Sequence, residues 1–230
     1  MLQRQAVKRT TLELLIELMQ DKQLTDFILV GGTALALQIG HRDSIDVDMF
    51  TKNPFDANEL DKYLKDNYGF TQDYLRNNTL KGDIQGVKVD LMTHDYPNVQ
   101  KDLLVENVRM ASLPDIAAMK LNAIIGNGTR IKDFIDVAYL SSTLSLNDMQ
   151  KAYSQKYPSS NPVMVPKALS FHQDINFKEP IKMLEGRLKW TVIEKRIISM
   201  IGSPAKVFSP LSMLDEKKSN SISNGKGFKM

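Results

Sequence analysis

The sequence predicts an α+β fold, with a mixed or antiparallel sheet flanked by helices in the first half of the chain and a helical second half. Three observations predict it. Short runs at 45–50 and 86–93 alternate apolar and polar residues, as half-buried strands do. A Gly31-Gly32-Thr33 break separates a short apolar run from a helical one. From Leu113 onward the apolar spacing changes to the helical period.

The elements follow in order. Residues 5–22 read as an amphipathic helix; its LELLIELM run is interrupted by Glu13 and Glu17, is too short to span a membrane and lacks a small-residue cleavage site. Residues 27–30 read as a buried strand, the glycines as a turn, and 34–39 as an apolar helix. The strand at 45–50 should place Ile45, Val47 and Met49 toward a core and Asp46 and Asp48 together on the other face. A surface helix at 56–67, strands at 70–75 and 79–85, and the run GVKVDLMT at 86–93 continue the sheet through hairpins. In that last run Val87, Val89 and Leu91 oppose Lys88, Asp90 and Met92. Residues 103–111 should add a strand.

The second half opens with helices at 113–126 and 130–140, divided by Gly126-Asn127-Gly128, with Ser112 or Asp115 as a start signal and Pro114 in the first turn. A proline-rich connection follows at 157–166. Lys182, Lys189 and Arg196 recur every seven residues in what reads as one helix, a basic stripe suited either to an RNA backbone or to plain solvation, and Trp190 reads as a packing residue. The implied division is a catalytic core at 1–111, a helical lobe at 112–204 and a polar tail at 205–230, with 217–230 disordered.

The chemistry lies in the carboxylates and the glycines. Two aspartates side by side on a half-buried strand repel each other, and a divalent cation between them is the usual reason to tolerate that. Backbone N–H groups of Gly31 and Gly32 at a helix start suit phosphate, with Thr33 as N-cap or hydroxyl donor. Asp90 can join Asp46 and Asp48 if its strand pairs beside theirs. Three carboxylates around two metal ions would serve in-line attack at phosphorus, with Asp90 also placed to take the nucleophile's proton. An ordinary strand-to-helix turn and a solvated edge strand would use the same residues. The spacing of Gly32-Thr33 ahead of Asp46 and Asp48 weighs against that plainer account.

These residues resemble the AbiEii/AbiGii-type nucleotidyltransferase toxins of the DNA polymerase β-like superfamily. The resemblance is carried by Gly-Gly-Thr, by His41-Arg42-Asp43-Ser44 leading into Asp46 and Asp48, by Lys88-Val89-Asp90, by MKLNAIIGNGTRIKDFIDVAYL and by FHQDINFKEPIKM. It implies a minimal nucleotidyltransferase fold and a nucleoside triphosphate with two Mg2+ ions, Mn2+ serving as a substitute, bound through Asp46, Asp48 and Asp90. It also implies a toxin of type IV toxin-antitoxin or phage-defence systems in bacteria, with a cognate antitoxin and RNA, tRNA foremost, as acceptor. Lys120, Lys132, Asp133 and Asp136 match the family's downstream lysine and K-D-x-x-D motifs; the lysines would neutralise triphosphate and Asp133 or Asp136 would orient them. Arg42 is a further triphosphate candidate, and Ser44, counted with Gly31, Gly32, Thr33 and Arg42 among the nucleotide-binding residues, could cap or position the strand. Arg130 falls closer to Lys132 than the family pattern has its arginine.

Composition bounds the alternatives. A net charge of +3 is not that of a strongly basic nucleic-acid binder, although 178–206 carries seven Lys or Arg against three Glu. The three histidines show no zinc spacing, and the absence of cysteine excludes thiol catalysis and fits the cytoplasm. Two other readings stay open: transfer to a small molecule or a protein side chain, and an inactive module that binds nucleotide or a partner.

Overall fold

The computed structural model describes residues 1–186 and 189–211. The chain divides into two units, one of residues 1–116 and 155–158, the other of 117–154 and 159 onward. The first unit holds a seven-stranded mixed sheet in the order β3-β4-β5-β2-β1-β7-β6. Its strands are β1 (Ile28–Leu29), β2 (Val47–Thr51), β3 (Thr71–Arg76), β4 (Thr79–Ile84), β5 (Val87–Thr93), β6 (Leu103–Val105) and β7 (Val108–Met110). β2 runs parallel to β5 and β1 parallel to β7, while the other neighbours are antiparallel.

Alternation sets the strand faces. Val47, Met49, Val89 and Leu91 are fully buried, and Asp48 and Asp90 are half-buried on the opposite face. Two hairpins close with both turn residues at positive φ, Gln85-Gly86 and Glu106-Asn107, the primed geometry that matches strand twist. The expected single strand at 103–111 is therefore a hairpin, β6–β7.

Three helices belong wholly to this unit: α1 (Arg9–Gln20), α2 (Gly31–Ile39) and α3 (Ala57–Tyr68). The helix expected at 5–22 is shorter, with a 3-10 turn at Arg4–Ala6 ahead of it. Asp56 caps α3, accepting from the N–H groups of Asn58 and Glu59, and Gly69 ends it in the left-handed region. Arg109 ties β7 to the chain leading into β1, donating to the carbonyls of Met19, Leu24 and Phe27.

Residues 44–46 depart from expectation. Ile45 is 51% exposed rather than core-facing, and β2 begins only at Val47. The cause is non-local: the Ser44 N–H donates to the carbonyl of Ala6, so this stretch bridges to the N-terminal segment instead of extending β2.

The other helices are α4 (Leu113–Gly126), α5 (Ile131–Leu140), α6 (Leu146–Lys156), α7 (Met164–Leu169) and α8 (Trp190–Gly202). At the start of α4 the Ser112 hydroxyl accepts from the Asp115 N–H and donates to the Asp115 carboxylate. In the second unit Trp190 packs edge-on against Phe134, His172 and Phe177. The basic stripe does not form on one helix. Pro180 and the left-handed Gly186 (φ +66) break the run, so Lys182 lies ahead of α8, Lys189 is its N-cap, and Arg196 lies within it. The tail expected at 217–230 lies outside the described residues. No helix among the described residues is long and apolar enough to cross a membrane.

Candidate active site

The glycine turn is built against Asp48. The Val30 N–H donates to the Asp48 carbonyl at 2.9 Å, and α2 begins at once with Gly31, ahead of the expected Ala34. Both glycines therefore lie in the first helical turn, whose N–H groups have no intrahelical acceptor and suit an anion. Gly31 sits at φ +68, and a Cβ there would stand 2.5 Å from Oδ2 of Asp48. A Cβ on Gly32 would stand 2.5 Å from Nη2 of Arg42 and 3.4 Å from Oγ of Ser44. The missing side chains let backbone, carboxylate and guanidinium share one small volume.

Thr33 works differently from expectation. Val30, not Thr33, is the N-cap of α2. The Thr33 hydroxyl is buried, bonded to the Ser44 hydroxyl at 2.8 Å and donating to the carbonyl of Asp46. Its role here is to fix the approach of 44–46 to the helix. Arg42 is buried too and donates from Nη1 to the Asp43 carbonyl at 3.1 Å.

Asp48 and Asp90 are direct Cα partners on the parallel β2–β5 ladder, while Asp46 precedes β2. Lys81 on β4 is the Cα partner of Asp90 on its other side, with Nζ 2.5 Å from Asp90 Oδ2. Among the described residues no three acidic or imidazole side chains converge as a ready-made metal cage. Mg2+ needs less, since it is held by one or two carboxylates together with substrate phosphates. Two hard oxygen donors abreast, with the Cβ-free Gly31 beside one of them, fit that requirement. Lys81 was missed in the sequence, where only its alternation with Leu80 and Gly82 signalled an outward-facing strand residue.

A second buried polar group supports the loop after β5. Lys156 Nζ lies 2.8 Å from Asp115 Oδ1 and donates to the Pro97 carbonyl. Burial alone would raise the Asp115 carboxyl; Lys156, the Ser112 hydroxyl and the N–H groups of Val99 and Gln100 outweigh it and hold the group below the usual carboxylate range. His94, at the end of β5, stacks on Phe50 and hydrogen-bonds the Tyr157 hydroxyl. Burial, with Lys156 nearby, lowers its pKa to about 4, so the ring is neutral at pH 7.

The remaining predicted residues fall in the second unit. Lys120 Nζ is 2.7 Å from carboxylate oxygens of both Asp133 and Asp136, and all three side chains are buried. The two carboxylates, three residues apart on α5, reach the same ammonium. Lys132 turns to Glu179 at 3.0 Å. The structure thus gathers Lys120, Asp133 and Asp136 and leaves Lys132 outside their cluster.

The family model described as nucleotidyl transferase AbiEii toxin, type IV TA system, matches residues 13–206. The chain belongs to the AbiEii nucleotidyltransferase toxin family. An uncharacterised protein of Aquifex aeolicus is 31% identical over 161 residues, 65% of this AbiEii chain and 75% of its own length. Among solved structures, the nucleotidyltransferase toxin MenT4 of Mycobacterium tuberculosis is similar with a TM-score of 0.58 at 14% identity, covering 89% of this chain and 83% of that one. JHP933 of Helicobacter pylori aligns with a TM-score of 0.50 at 16% identity over 94% of this chain and 98% of its own. The antibiotic-resistance factor ANT(2'')-Ia aligns with a TM-score of 0.50 at 14% identity, over 64% of this chain and 91% of its own. The fold is that of nucleotidyltransferases, and this AbiEii-family protein is a nucleotidyltransferase toxin by family.

Proposed function

We propose that this chain transfers a nucleotidyl group from a nucleoside triphosphate to an acceptor hydroxyl with release of pyrophosphate, in a divalent-metal-dependent reaction. The observation that carries this reading is the juxtaposition of Asp48 and Asp90 on adjacent parallel strands beside the Gly31-Gly32 start of α2. The first-turn N–H groups of α2 receive phosphate oxygens, and Arg42, packed against Gly32, adds positive charge to the same corner. Ser44 and Thr33 hold the backbone of that corner in place. Asp48 and Asp90, with Asp46 ahead of β2, hold Mg2+ or Mn2+. When bound, the metal supplies a lowered pKa at the attacking hydroxyl and charge neutralisation at the leaving pyrophosphate. In the second unit, Lys120 with Asp133 and Asp136 is a positioning cluster that fixes α5 against the adjoining turns of α4.

RNA, with tRNA first, is the acceptor we infer, and a cognate antitoxin is the expected partner. Both rest on the family, since the helix-borne basic stripe that would have favoured RNA independently is broken at Gly186. The test is transfer of label from each α-labelled nucleoside triphosphate to total bacterial RNA with magnesium, against an Asp48→Asn variant and an RNA-free control. Label in a tRNA-sized band with the wild type alone supports the proposal. Label on protein or on an added aminoglycoside instead would replace the acceptor, and label that persists in Asp48→Asn would overturn the site.

A further inference from the structure

We propose that Lys81 is a resident cation at Asp90: a positioning residue that holds this carboxylate while the site lacks metal and releases it when a divalent ion arrives. The inference deepens the reading of Asp48 and Asp90 as metal ligands and rests on it.

Three consecutive strands place Lys81, Asp90 and Asp48 in one row, each the Cα partner of the next. The row lies on the outward face, since the three residues are half-buried while Leu80, Val89, Leu91, Val47 and Met49 are buried on the other. Adjacent strands stand only about 4.8 Å apart, so two carboxylates opposite one another repel across the ladder. A cation must sit there for the pairing to be comfortable. Lys81 supplies one, its ammonium 2.5 Å from Asp90 Oδ2. Lys88 does not compete for this place, because it stands opposite Asp83.

The same geometry makes the arrangement reversible. The side chains of Lys81 and Asp90 are 37% and 27% exposed, so water screens the pair and separating it is easy. A divalent ion carries twice the charge and can engage both carboxylates at once, whereas the ammonium on its flexible stem is free to swing toward solvent or an incoming phosphate. Metal and Lys81 therefore compete for Asp90, and nucleotide-borne metal wins because the phosphates bring further ligands.

The experiment is a Mn2+ titration without nucleotide, followed by the electron paramagnetic resonance of free Mn2+, on wild type, Lys81→Met, Lys81→Arg and Asp90→Asn. Lys81→Met is expected to bind about three- to tenfold more tightly than wild type, and Lys81→Arg close to wild type. A companion melting curve in EDTA should show Lys81→Met less stable than wild type, with Asp90→Asn in that background restoring the loss. Asp90-dependent Mn2+ binding that Lys81→Met leaves unchanged or weakens would overturn this inference alone. Wild-type Mn2+ binding that Asp90→Asn leaves unchanged would overturn both it and the placement of the metal at Asp48 and Asp90.

Discussion

Gly31 and Asp48 touch through the space where a side chain would be: the Cβ position of the first lies 2.5 Å from Oδ2 of the second. Gly31→Ala therefore meets a left-handed backbone and a carboxylate together. The strained backbone alone should cost about 1–2 kcal/mol, and displacement of Asp48 should lower label transfer about a hundredfold. Gly32→Ala is the control. Its Cβ would press on the guanidinium of the buried Arg42 but meets no left-handed backbone, so the variant should lose less stability than Gly31→Ala. Urea denaturation of both variants checks the contrast.

Thr33→Val removes the hydroxyl that the Asp46 carbonyl accepts from, in a buried setting. A loss of about 1–3 kcal/mol is expected, with Thr33→Ser recovering most of it. Equal stability of the Val and Ser variants would show that the hydroxyl contributes nothing to the turn.

Lys120→Met should be among the most damaging single changes in the second unit. It strands two buried carboxylates that now share one ammonium, at a cost of about 3–5 kcal/mol. Adding Asp136→Asn should recover part of the loss, because one of the stranded charges goes. Thermal denaturation of the single and double variants measures this coupling directly.

His94 predicts a pH dependence. Its folded pKa, about 4, lies below the ordinary imidazole value, so below pH 6.5 the unfolded chain binds the proton before the folded one does. Stability is full above pH 6.5, falls as pH drops toward 4 and levels off below that. The loss should be about 1–2 kcal/mol, less than the whole shift would imply, because the ring is partly exposed and screened. His94→Gln should flatten urea midpoints across that window, and an unchanged slope would refute the assignment.

Period-two burial made β2, β4 and β5 legible in the sequence, and with them the facing of Asp48 and Asp90. What escaped depended on distant partners. Ile45 looked like a core residue because the bond between Ser44 and Ala6 is invisible to a local pattern. Lys81 could be placed on a face but not opposite Asp90, since register is fixed by the Gln85-Gly86 turn, whose positive φ at Gln85 no simple turn signal announces. The seven-residue spacing of basic residues suggested a stripe only because Gly186 was read through as though it could continue a helix. Likewise Glu106-Asn107 hid a hairpin, neither residue being the glycine such turns favour.

The order of strands also bears on how the site comes into being. β3, β4 and β5 form a meander whose partners lie close along the chain, whereas β2 meets β5 through residues roughly forty positions apart, a far longer loop to close. Asp90 and Lys81 should thus be paired early in refolding, and Asp48 should arrive afterward to a carboxylate already neutralised. Pulse-labelled hydrogen exchange should show amides of β4 protected before those of β2; the nascent sheet then never has to bring two bare negative charges together.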